Sequence, residues 1–473
     1  MPENDAEVRK KRRHRNERIA AAVLVVALAA GVAAFVRWNA REQALLEQQT
    51  YVPKRQVITP EILLLRDYVR IDTSTPAGVA AGARWLAAQL ARAGIRAELI
   101  PSAEGRVNVY ARIAGRQRGG GLLLFNHIDV FPVAGQQWSR PPFAGEMQLN
   151  MLYGRGTVDM KALAICQLLA FAAVARSGAA PEHDLVFLAT ADEETGSEYG
   201  MQWLLAHRPD IFEGIGYGIT EGGITEVLSE RVTYFGIEVG SKQYSEVELS
   251  APTVEAMRAA RFALEPWLVQ REATRVLPSV RQMFHDMAAT RVQFRPLLID
   301  IDATIARGAF WQLPIPYRDL TQNSMLVDAP LQRDGGATMR VRLINLPDED
   351  PDARIAWLAE TVRPAGARVA RVVRKEPRVP LSRDDTPLFR LLAAEATRRY
   401  RAPAGVEVLY RSGSDARFLR PRGIVCYGVS PYRVDLFQSL AIHKADERIR
   451  LDFFGEGVDY LRTVVEQWAR GRT

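Results

Sequence analysis

Cysteine is scarce in this chain, with only Cys166 and Cys426 among 473 residues. Two cannot build a disulfide framework. Both stand in apolar runs, AICQLLAF and GIVCYGV, where a buried free thiol is the default, so neither is read as a nucleophile or a metal ligand. There are only six histidines. His14 lies in a basic tail, and His183, His207 and His285 lack an acidic partner pattern, which leaves His127 and His443. No internal repeat and no low-complexity tract interrupts the chain after its first residues. The formal charge is +7, but much of the basic density is one block, Arg9, Lys10, Lys11, Arg12, Arg13, Arg15 and Arg18. No basic stripe interleaved with aromatics exists elsewhere, and a nucleic-acid partner is excluded on that ground. With 48% hydrophobic and 25% charged residues, the composition is that of a folded protein long enough for two or three compact units.

Long hydrophobic runs are also few. Ile19 to Val36 is the uncharged one (IAAAVLVVALAAGVAAFV), about the length of a minimal membrane-spanning helix. The basic cluster before it would keep residues 1–18 in the cytoplasm and the bulk of the chain outside. This predicts a single-pass membrane protein with an anchor at 19–36 and a polar linker at 37–56. The rival is a cleaved signal peptide, since Val32-Ala33-Ala34 offers small residues, giving a secreted or periplasmic protein.

From residue 57 helix and strand patterns alternate. GLLLFNHIDV is a continuous apolar strand of the kind buried on both faces, and DLVFLATA and GIGYGIT follow after long helical patterns. This predicts an α/β fold with a mostly parallel sheet flanked by helices. Near residue 238 the texture changes to one-sided strands such as KQYSEVELSA, and near 380 the first texture returns. The expected division is 57–237 and 379–473 for one domain, with an α+β insert at 238–378.

In open α/β sheets ligands gather at the carboxyl ends of strands. Three strands here run directly into candidate ligands: His127 (with Asp129 two residues on), the Asp192-Glu193-Glu194 run, and Glu221. Asp159 opens a long helix after GRGTV, and His443 lies in AIHKADERI. Two histidines and several carboxylates suit a pair of divalent ions, with zinc the expected metal, and a carboxylate can bridge ions about 3.5–4 Å apart. Asp129 has the spacing to accept the other N–H of the His127 ring. Adjacent glutamates cannot both point the same way, so one can bind metal while the other acts as general base. Taken singly each feature is weak: a lone histidine after a strand is more often a satisfied core residue, paired glutamates are more often solvated, and Asp159 could be a helix N-cap. Their joint placement at strand ends of one sheet is what argues for chemistry.

HIDVFPV, WSRPPFAG, LYGRGTVDMK, ATADEETGSEYG, TEGG, SGSDARF and HKADERI together resemble, in order and spacing, the aminoacylase, carboxypeptidase S and carboxypeptidase G family of co-catalytic zinc hydrolases. The resemblance runs from about residue 57 to the end of the chain. It implies a zinc-exopeptidase-like fold with a lid inserted at 238–378, through which a homodimer is allowed. It also implies that His127 and Glu221 bind one ion, Glu194 and His443 the other, and that Asp159 bridges. Glu193 is then the base and Asp129 the carboxylate behind His127, while Arg342 and the backbone near Gly413 receive a substrate carboxylate. The implied activity is hydrolysis of an amide next to a free carboxylate, in a small peptide or N-acyl amino acid. Two departures stand out. The lid lacks the family's Gly-His-Ser-Ser-x-Pro loop, and Ala329 and Gln332 stand where Asn-x-x-Pro is usual. A silent metal-binding descendant is therefore the rival, although such a protein has no evident reason to keep Glu193.

Overall fold

The computed structural model describes residues 57–472 apart from 229, 270–273, 334, 410–412, 435–437 and 440. Residues 57–473 cluster as one compact unit. Its central sheet runs, edge to edge, Glu98–Pro101, Val107–Ile113, His183–Thr190, Gln117–His127, Ile215–Thr220, Val425–Gly428, Arg231–Ser241 and Ala404–Leu409, with Thr225–Leu228 paired beside Arg231–Ser241.

The apolar run at Gln117–His127 is explained by burial on both faces. Leu122 and Leu124 enter one core with the helix Lys161–Arg176, while Leu123 and Phe125 enter a second with Met201, Leu204 and Ala416. The helix itself is apolar around most of its circumference, because it lies between the sheet and the closing helix Leu451–Ala469.

The expected mostly parallel sheet proves to be mixed. Pairing is parallel among His183–Thr190, Gln117–His127, Ile215–Thr220 and Val425–Gly428, and between Arg231–Ser241 and Ala404–Leu409. Elsewhere it is antiparallel. Connection length explains two of these pairings, since the short links between Pro101 and Val107 and between Leu228 and Arg231 can only make antiparallel neighbours, a parallel crossover needing a dozen residues or more.

A second, wholly antiparallel sheet carries Ser324–Val327, Gly336–Asn345, Gln243–Ala251 and Arg368–Lys375, with Leu331–Arg333 beside Gly336–Asn345. Burial alternates strictly along Gln243–Ala251, as KQYSEVELSA predicts. The inward Val247, Leu249, Met339, Val341 and Leu343 meet Met257, Leu264 and Leu358 from the helices Val254–Val269 and Pro351–Val362. Lys242, fully buried, stands between the strands of the two sheets and donates to the carbonyls of Asp319 and Gln322. A third, three-stranded sheet joins Glu146–Gln148, Met151–Tyr153 and Arg448–Arg450.

The expectation of a single-pass membrane protein is corrected: among the described residues no helix is long and apolar enough to cross a membrane. The segment Ile19–Val36 on which that expectation rested lies outside the described residues.

Candidate metal centre

The sheet delivers the candidate ligands to one place. His127 ends its strand and is 2% exposed. Its Nδ1 lies 2.8 Å from the carbonyl oxygen of Asp129, which can only accept, so Nδ1 carries the proton. With Nδ1 so engaged, Nε2 is the ring atom that faces Asp159 Oδ1 at 3.1 Å and Glu221 Oε2 at 3.5 Å. The ring's partner is thus the backbone of Asp129 rather than its carboxylate, which stands 3.6 Å away. That carboxylate instead accepts the backbone N–H groups of Glu193 (3.1 Å) and Glu194 (3.0 Å), fixing the loop that follows His183–Thr190.

From this shared backbone anchor the two glutamates diverge. Glu194 sends Oε2 to within 3.2 Å of His443 Nε2, and Glu193 sends Oε1 2.7 Å from Arg417 Nη1. Asp159 lies between the histidines, with Oδ1 facing His127 and Oδ2 2.9 Å from His443 Nε2. His443, at φ +61°, is stacked on Phe131 with ring centroids 4.6 Å apart. Two sets of ligand atoms lie within 4.8 Å of one another: His127, Asp159 and Glu194, and His127, Glu193 and Glu221.

The electrostatics are those of crowded acids sharing two imidazoles. Burial, then the Asp159 charge, push Glu194 up to about 7. Burial pushes Glu221 up to about 8 against the pull of His127. Burial also works to lower both histidines, but the carboxylates outweigh it: His127 is held well above its ordinary range, and His443 rises to about 10. Asp159 falls well below the carboxylate range in spite of burial, because both imidazoles stand close to its two oxygens.

Divalent cations fit this donor set. Glu194 Oε1 and His443 Nε2 are buried without a hydrogen-bond partner, the latter despite its two close carboxylates. An orphaned buried pair of this kind is costly unless a cation satisfies it.

The loops around the centre are clamped by charges that the sequence does not reveal. Arg155 (1% exposed) pairs with Glu447 (0%) at 2.6 Å. Arg155 also donates to Gln136 Oε1 and the carbonyl of Lys444, while Gln136 Nε2 donates to the carbonyl of His443. Glu447 Oε1 accepts the N–H groups of Val158 and Asp159. Sequence reasoning missed Gln136, Arg155, Arg417 and Glu447, although the last three fall inside the quoted motifs. The signal was their position within four residues of a ligand or of Gly413. The other substrate candidates lie apart. Arg342, on Gly336–Asn345, is ion-paired with Asp328, and Gly413 gives its carbonyl to Arg417 at 2.5 Å.

Residues 123–467 match peptidase family M20/M25/M40. The chain belongs to that family. Membership in M20/M25/M40 places it among metal-dependent hydrolases, as the motifs anticipate. The succinyl-diaminopimelate desuccinylase of Bradyrhizobium sp. (strain ORS 278) is 35% identical over 167 residues, which is 33% of this chain and 42% of the relative. The chain thus matches less than half the length of that relative. Among solved structures, the M20 family metallo-carboxypeptidase Sso-CP2 from Sulfolobus solfataricus superposes with a TM-score of 0.65 at 17% identity, covering 87% of this chain and all of that one. The YXEP protein of Bacillus subtilis, described as a dinuclear metal binding peptidase of the M20 family, gives 0.51 at 13% identity, covering 86% and 97%. At such identities these two share the fold.

Proposed function

We propose that this chain hydrolyses an amide bond next to a free carboxylate, in a small peptide or N-acyl amino acid, with two zinc ions and Glu193 as general base. The observation that carries the reading is Asp159, whose two oxygens face imidazoles on opposite sides, as a bridging ligand requires. His127 and Glu221 would hold one ion, and Glu194 and His443 the other. Bound there, the pair supplies Lewis acidity toward the scissile carbonyl and makes water a better acid. Asp129 keeps the His127 ring in one tautomer through its carbonyl and sets the Glu193–Glu194 backbone through its carboxylate. Glu193 takes the water proton on the oxygen that Arg417 leaves free and hands it to the departing amine. Arg342 and the backbone near Gly413 would receive the substrate carboxylate, since a guanidinium fork suits that group. The names of the relatives, a desuccinylase and a carboxypeptidase, fit this substrate class.

The test is a panel of dipeptides and N-acetyl and N-succinyl amino acids, assayed for released amine with zinc-loaded protein. Glu193→Gln should keep its zinc and lose roughly 10²–10⁴ in turnover, as for a lost general base. Glu194→Gln should lose metal and activity together. An active wild type whose Glu193→Gln variant turns over at full rate would falsify the mechanism.

A further inference from the structure

We infer that Arg417 reserves Glu193 for proton transfer, holding one of its carboxylate oxygens so that the side chain does not collapse onto the metal centre as an extra ligand. The inference rests on Glu193 serving as the base, and it concerns a residue to which neither the motif reading nor the family match gives a role. Glu193 stands close enough to be a ligand, since its carboxylate, His127 and Glu221 offer atoms within 4.8 Å of one another. Bare, such a carboxylate is drawn to a divalent cation, and a glutamate bound to metal has given up the lone pair that accepts the proton. Among the described residues, the only side chain recorded on the Glu193 carboxylate is Arg417, at 2.7 Å.

The guanidinium is itself held by other partners. It is 6% exposed, and it donates to the Gly413 carbonyl at 2.5 Å and to Ser197 Oγ at 3.3 Å. Ser197 in turn bonds to Asp415, which also accepts from Thr190 Oγ1 at 3.2 Å. Arg417 is thereby tied to the end of the strand His183–Thr190 and to the loop that carries Glu193. The tether fixes the carboxylate at one end while Asp129 fixes its backbone N–H at the other. A planar, permanently charged fork suits this task better than an ammonium, which would hold the oxygen as a point charge only.

Zinc itself is the probe that separates this role from simple stabilisation. In the zinc-loaded full chain, Arg417→Ala should release zinc to a chelator several-fold more slowly than wild type, because Glu193 has joined the ligands. The slowing should vanish in Arg417→Ala/Glu193→Gln. On amides turned over by wild type, Arg417→Ala should lower kcat by about 10²-fold with little change in KM, on the scale of a misplaced catalytic group. The double variant should be no slower than Glu193→Gln alone. Should Arg417→Ala fail to fold, Arg417→Lys carries the same test, with a smaller slowing of zinc release and partial recovery of kcat. Zinc release that is faster than wild type, or unchanged, overturns the inference whether or not an active substrate is in hand. Failure of the base reading looks different: Glu193→Gln then keeps full turnover, whatever Arg417 does.

Discussion

Replacing Glu447 with glutamine keeps the shape of the side chain and removes its charge. Arg155 then remains buried at 1% exposure, with the oxygens of Gln136 and Lys444, the Trp138 and Phe131 rings and an uncharged amide to meet it, and no carboxylate. Breaking a buried pair by removing one partner costs about 3–5 kcal/mol. At about 2.1 cal/mol/K of unfolding entropy per residue, spread over residues 57–473, that corresponds to a fall in Tm of roughly 3–6 °C. The reverse change, Arg155→Met, is gentler at low pH. Burial already pushes the Glu447 carboxyl up, and losing Arg155 raises it further, so the neutral acid can keep its bonds from Val158 and Asp159. An acid with a raised folded pKa contributes stability below its unfolded pKa and loses it as pH rises. The Arg155→Met penalty should therefore be small near pH 5 and grow toward pH 8, whereas that of Glu447→Gln should change little. Because Glu447 holds the Asp159 backbone and Arg155 the carbonyl beside His443, both variants should also weaken metal binding, by about 10–100-fold for a support of this kind. Thermal melts at the two pH values and a chelator competition measure all of this. A Glu447→Gln protein melting within 1 °C of wild type, by the ~1 °C per kcal/mol implied above, with undiminished zinc affinity, refutes the reasoning.

Three other outcomes follow from the geometry. In chelator-treated protein burial pushes Glu194 up to about 7 and Glu221 up to about 8, and the facing carboxylates push His443 up to about 10; all three are raised, so each loses stability as pH climbs from the ordinary range through those values. Zinc replaces the shared protons, so the Tm gain on adding zinc should be larger at pH 8 than at pH 5.5, and an equal gain at both would contradict the assignment. Lys161 is fully buried and bonds the carbonyls of Tyr68 and Ile71. Burial lowers it to about 7, and a depressed folded pKa contributes stability that is lost as pH falls through it, so Lys161→Met, which strands two buried acceptors at about 1–3 kcal/mol each, should depress Tm more at pH 9 than at pH 6. Phe131→Ala removes the face on which His443 stacks and should speed zinc loss while leaving Tm within about 1 °C, as expected for a partly exposed ring outside the core.

The convergence of the candidate ligands was legible because polar residues that end apolar strands leave a pattern of their own. His127, Glu194 and Glu221 each follow an apolar run that had to be a buried strand, and Leu122–Leu124 are buried on both faces as that run requires. Strand direction was not legible, since side-chain alternation is the same in parallel and antiparallel pairs, and the mixed sheet emerged only from the connections. Nor could the pattern show where the helix Pro278–Met287 packs: Val280, Met283 and Phe284 enter the main core rather than that of the second sheet. The Arg155–Glu447 pair was out of reach for another reason. Its members lie 292 residues apart, and a charged side chain in sequence is indistinguishable from a solvated one.

The short sheet joining Met151–Tyr153 to Arg448–Arg450 has a consequence for how the protein comes into being. It brings the loop of His443 back to segments made far earlier; Gln136 and His443, which it helps to bring together, are separated by 307 positions. A growing chain that has already formed the strands bearing His127, Glu194 and Glu221 still lacks its second imidazole, and Asp159 has only one histidine to face. Until translation passes residue 443 the carboxylates of Asp159 and Glu194 are present without the imidazole that both face in the finished chain.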